Sequence, residues 1–173
     1  MAKKIMAWSK CKIEIGQTGA NDAMSSNLTD VGTILNQSST LSAEAGDKMQ
    51  AIATGGEVVA EEPQEGTLTL ETTIIEPTAE LINLLGLATI TNPANATEMT
   101  MKTHVVEGNW SVKVTPKNNG AWGIQAPKCS ITYLPAWSEE NGNQAVLQIS
   151  ILKTTEATTN YWYKRWKTSS SLT

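Results

Sequence analysis

Between Thr67 and Ile74 the chain reads Thr, Leu, Thr, Leu, Glu, Thr, Thr, Ile, the clearest period of two in the sequence. Leu68, Leu70 and Ile74 fall on one face, and Thr67, Thr69, Glu71 and Thr73 on the other. Successive side chains of a strand point to opposite sides, so this spacing predicts a strand with an apolar face toward a core and a polar face toward water. Glu76-Pro77 ends it, because proline has no N–H to donate to a ladder. Thr78 then stands where a helix N-cap belongs, and Glu80 favours the positive end of the helix. Leu81, Leu84 and Leu85 form an apolar stripe at helical spacing, the expected anchor of that helix to the core, and Gly86 is a natural stop.

The other alternating runs are shorter. Strands are expected at Lys10–Ile15, Val31–Leu35, Lys48–Ala53 and Glu57–Glu62, the last two separated by Gly55-Gly56. In the second half, Thr97–Val106 alternates and the tripeptide Glu107-Gly108-Asn109 signals a hairpin. Trp110, Val112 and Val114 return on one face. Trp122–Leu134 is extended but holds Pro127, which places it partly on a sheet edge. Ala145–Leu152 aligns Leu147, Ile149 and Ile151, and Tyr161–Trp166 reads as a last strand. Short strands with turns about every ten residues predict a mainly β fold, an antiparallel two-sheet sandwich or barrel with one flanking α-helix.

With 173 residues the chain fits one domain, here with a polar projecting arm at about 36–54 and an extended C-terminal segment over 156–173. The net charge of −4 is unevenly spread: residues 41–80 hold nine acids and one lysine, whereas residues 101–173 hold eight bases and four acids. Opposed surfaces of this kind suit head-to-tail association between copies. The N-terminal lysines precede no long apolar run, so no signal peptide is expected. The most apolar stretch, LINLLGLATI, is far short of the ~20 residues of a membrane helix, so no membrane partner is expected either. Cys11 and Cys129 then read as two buried thiols of a reducing compartment.

Residues arranged for chemistry are lacking. His104, the single histidine, has no flanking ligand set for zinc. Glu61-Glu62 are neighbours on a strand and point to opposite faces. No nucleophile elbow, phosphate loop or CxxC pair occurs. No enzyme activity and no cofactor is expected. The segment NYWYKRWK, residues 160–167, mixes aromatics with bases, as single-strand nucleic-acid sites do. The favoured reading is a docking strand buried against a neighbouring subunit. Trp110 reads as core, and Trp8, Trp122 and Trp137, near strand ends, as residues of an interface or of a sugar-binding face.

The order of four segments carries a resemblance: MAWSKCKIEIGQTG from residue 6, TDVGTI at 29–34, GDKMQAIATGGEVVAEE at 46–62 and LTLETTIIEPTAELINLLG at 68–86. Across residues 6–155 the chain resembles the major tail tube proteins of long-tailed phages and prophages, those of the Bacteroides type most of all. The resemblance implies a fold shared with type VI secretion tube proteins. It implies a virion structural protein, made in the host cytoplasm, that self-assembles into hexameric rings stacked as a tube. DNA would pass through without specific binding, and the tape measure and tail terminator proteins would be partners. It also implies an arm to the adjacent ring, here with Ser38, Ser39, Thr40, Leu41 and Asp47, and a lumen wall that includes Thr67, Thr69, Glu71 and Thr73. A wall without lysine or arginine suits such a lumen, since cations would gain affinity for DNA by releasing counterions. A β-sandwich binding module and a virion decoration protein are the competing classes.

Overall fold

Nine strands form one curled antiparallel half-barrel in the computed structural model, which describes residues 11–118 and 120–168. In chain order the strands of this sheet are β1 (Cys11–Gln17), β2 (Thr29–Asp30), β3 (Thr33–Ile34), β4 (Thr40–Glu44), β7 (Thr67–Ile75), β10 (Trp110–Pro116), β11 (Trp122–Ser138), β12 (Gly142–Ile151) and β13 (Lys164–Lys167). The path across the sheet is β2-β1-β10-β11-β12-β7-β3, with β4 beside β3 on β7, and β13 on β11. Two small two-stranded sheets complete the β structure. They are β5 (Lys48–Ile52) with β6 (Val58–Pro63), and β8 (Ala88–Thr89) with β9 (Thr100–Met101). The mainly β, antiparallel architecture with a flanking helix is therefore the one the alternation predicts.

Alternation decides the core. Leu70, Thr72 and Ile74 of β7 are buried, as are Ala145, Leu147, Ile149 and Ile151 of β12, and Ile13 and Ile15 of β1. Thr72 is tolerated there because its hydroxyl pairs with that of Ser39 at 2.8 Å. The buried positions of β11 switch from even (Ile124, Ala126) to odd (Cys129, Ile131, Tyr133) across a register shift opposite Trp110 and Val112 of β10. Pro127 sits at this irregularity, inside the sheet and not on its edge as expected. The shift leaves no ladder bond for its missing N–H to lose, and its carbonyl accepts from Thr18 and Ser111 hydroxyls at 2.8 and 2.9 Å.

The helix α1 (Ala79–Leu84) starts as predicted: the Leu81 N–H donates to the Thr78 hydroxyl at 3.2 Å. Gly86 takes φ +72°, the left-handed stop that glycine adopts at least cost. Leu81, Ile82 and Leu85 are buried, whereas Leu84 is only partly so. Ile82 thus takes the core position expected of Leu84: with Leu81 and Leu85 it forms an i, i+1, i+4 face, turned about the helix axis from the predicted stripe. Leu81→Ala should cost about 2–5 kcal/mol in chemical unfolding. Leu84→Ala should cost on the order of 1 kcal/mol. Equal costs would mean that the helix docks through a different face.

Three further expectations are corrected. Residues 36–44 do not project: Ser38 and Ser39 hydrogen-bond to β7, and Thr40–Glu44 is strand β4 along its edge. The projecting element is the β5–β6 hairpin. The Thr97–Val106 strand shrinks to Thr100–Met101 and one bridge from Val105 to Thr132, with Met99, Met101 and Val105 exposed. The C-terminal aromatic segment lies along its own subunit, where β13 pairs with β11 from Trp122 to Gln125. Trp8 lies outside the described residues.

Candidate assembly surface

Directly opposed residues of an antiparallel pair point to the same face, so the register defines the outward wall of the sheet. One row runs Ser42, Thr69, Ser150, Ser130, and the next Thr40, Glu71, Gln148, Thr132. A third holds Thr73, Val146 and Leu134. Thr67, Thr69, Glu71 and Thr73 therefore do share one face. Thr67 and Glu71 are exposed, while Thr69 and Thr73 are half-buried by their cross-strand neighbours. Glu71 accepts from the Gln148 side-chain amide at 3.0 Å. No lysine or arginine stands in these rows. The β12 part of the wall has its own sequence signal: Gln144, Val146, Gln148 and Ser150 alternate with the buried Ala145, Leu147, Ile149 and Ile151.

The wall ends in two edges that no described strand covers. The Leu35 N–H donates to the Thr73 carbonyl at 2.9 Å, and the Glu76 N–H donates to the Asn143 carbonyl at the start of β12 at 2.8 Å. Backbone direction alternates along a strand. Thr67, Thr69 and Glu71 therefore bond β4 through Glu44, Ser42 and Thr40, and the amides of Leu41 and Ala43 face outward. On the far side, the Leu152 N–H donates to the Lys128 carbonyl at 2.9 Å, which directs even-numbered residues of β11 toward β12. Pro135 and Trp137 then face the opposite edge, where β10 pairs only as far as Cys129. Beyond the Val105–Thr132 bridge no described strand covers that edge. Proline on an open edge costs no ladder bond.

The hairpin leaves the sheet between β4 and β7. Every residue from Asp47 to Glu65 is exposed. Gly46 and Gly66 cross at its root, where a Cβ on either would meet the carbonyl of Gln64 or Glu44. Val59 is the extra residue of a bulge opposite Ala51 and Ile52, which gathers Ile52, Val58 and Val59 near the tip at 63, 49 and 65 % exposure. Of the predicted arm residues only Asp47 belongs to this hairpin.

The C-terminal segment is tied down by Asp22, which is buried although it lies in a loop. Its carboxylate accepts the backbone N–H groups of Thr155 and Glu156 at 2.7 and 3.0 Å and the Lys128 ammonium at 3.1 Å. These bonds, those from Thr155 and Glu156 first, lower its pKa from 3.8 to about 2. A lowered carboxylate pKa stabilises the fold above the ordinary value, and the gain is lost as pH falls through the folded one. Asp22→Asn should therefore speed amide exchange at Thr155, Glu156 and β13 at pH 6, and should remove the part of the acid transition between about pH 4 and 2. Unchanged exchange would mean that β13 pairing alone holds the segment. Further along, Trp166 lies under the Lys113 ammonium, 5.0 Å from the ring centroid.

His104 is exposed, and among the described residues no three His, Cys, Asp or Glu are grouped for a metal ion. Cys11 and Cys129 are free thiols; burial pushes Cys129 up to about 12 and raises Cys11. Trp110 is core, its indole N–H donating to Glu107 at 3.0 Å, whereas Trp122 and Trp137 are 54 and 71 % exposed. No described helix is long and apolar enough to cross a membrane. The geometry defines an all-antiparallel sheet with a mostly polar wall whose paired rows hold no cation, two edges that no described strand covers, and an exposed hairpin. No protein-family model matches the chain, and no curated protein does.

Proposed function

We propose that this chain is a non-catalytic structural subunit of a phage tail tube. Copies join edge to edge into rings, hexameric by the resemblance, and the rings stack. The outward wall of β4, β7, β12 and β11 faces a lumen that conducts DNA without holding it. The observation that carries the reading is the wall with its frame: rows of Ser, Thr, Gln and Glu, with Val146 and Leu134 in the third, that hold no cation and end on β4 and β11 in edges no described strand covers. A row of unpaired N–H and C=O groups is an association liability unless it is paired, and ring closure pairs it. An edge of one kind meeting an edge of another is a heterologous contact, which gives a ring when the rotation between copies closes. The virion tail is the proposed location, with host cytoplasm before assembly, and the tape measure and tail terminator proteins are the proposed partners.

Sedimentation velocity of the full chain over a rising concentration series tests this reading. The expected result is conversion of monomer to a large, discrete species. A single monomer boundary at every concentration contradicts it and favours a binding module.

A further inference from the structure

The β5–β6 hairpin and β13 carry opposite charge, and each has an unused strand edge. β6 pairs only with β5, and β13 only with β11, among the described strands. The hairpin bears Glu57, Glu61 and Glu62, and its one base, Lys48, is held by Glu61. β13 bears Lys164, Arg165 and Lys167, all exposed, and none has an ion-pair partner among the described residues. An isolated two-stranded hairpin exposed on both faces is marginal in water. Its apolar tip, Ile52, Val58 and Val59, is the kind of surface that a partner covers. Trp122, opposite Lys167 in the β11–β13 pair and 54 % exposed, offers an apolar surface at the end of β13.

We infer that the hairpin of one copy docks on β13 of a second copy, with β6 adding to its open edge. This rests on the reading that copies associate, and it names the surfaces for one of their contacts. Backbone pairing supplies the register, as in other strand additions. The acidic edge selects the basic one and repels a second hairpin. Ile52, Val58 and Val59 cover Trp122.

Charge reversal tests it in the full chain. Glu57→Lys with Glu62→Lys reverses the hairpin while sparing the Lys48–Glu61 pair. Arg165→Glu with Lys167→Glu reverses β13 while sparing Lys164, which stacks on Tyr161. Each pair alone should raise the critical concentration for assembly at least about tenfold, by setting like charges opposite each other. The chain carrying all four substitutions should recover assembly. Parental assembly by both charge-reversed chains overturns the inference and leaves the tube reading standing.

A parent chain that never assembles removes the tube reading, and cross-linking then decides the inference. Val59→Cys chains mixed with Lys167→Cys chains under mild oxidation should give a covalent heterodimer. Its absence overturns the inference.

Discussion

Replacing Ala43 with proline should leave a folded subunit that no longer assembles. On β4 the residues Thr40, Ser42 and Glu44 bond β7, so the Ala43 N–H points to the open edge. Proline removes that donor and puts its ring where a neighbouring strand must come. Within the subunit it costs little, since edge strands admit proline and Ala43 is exposed. The expected result is a circular dichroism spectrum and melting midpoint near those of the parent, with monomer at concentrations where the parent assembles. Ala43→Ser keeps the N–H and should assemble normally. If Ala43→Pro assembles as the parent does, the β4 edge is not an interface.

Placing lysine at both Thr69 and Glu71 should turn a tube that releases DNA into one that holds it. The two positions lie in adjacent rows of the wall, beside Ser150 and Gln148, and their outward direction leaves room for long side chains. The pair adds two cations per subunit and removes one anion, and a ring multiplies this by its number of copies. Binding to phosphates is driven by counterion release, so the logarithm of retention should fall with the logarithm of salt at roughly 0.9 per phosphate contact. Retention of duplex DNA is read from low to moderate salt in both chains. The account predicts steeply salt-dependent retention by the lysine chain and negligible retention by the parent. Equal, negligible retention places the wall on an outer surface or in a subunit contact.

The readable parts of this fold are those where a local period and the tertiary contact agree. β7, the start of α1, β10 and β12 alternate or cap strongly, and their core faces are the buried ones. The unread parts are decided by partners distant in sequence. Thr40–Glu44 alternates over only five residues, with Leu41 and Ala43 its sole apolar positions, too weak a period to stand out of the polar text around it; it is a strand because β7 offers an edge and Leu41 reaches the core. Pro127 looks like an edge residue until β10 supplies the irregularity that hosts it. Asp22 gives no signal at all, since its donors lie more than a hundred residues away. Ile82 replaces Leu84 because a helix of six residues turns the stripe by its docking angle more than by its sequence. Of the wall, β7 was legible alone; the β4, β12 and β11 rows needed the register. Of the hairpin, β5 falls inside the arm expected at 36–54; what the sequence does not show is that β6 projects with it while residues 36–44 lie along β7.

The central claim is that the open edges of β4 and β11 close copies into a tube with the cation-free wall inside. Negative-stain electron microscopy of the concentrated full chain, beside its Ala43→Pro variant, tests it most directly. The account predicts stacked rings with a stain-filled axial channel for the parent and dispersed particles for the variant. Dispersed particles from both, or tubes from both, contradict it.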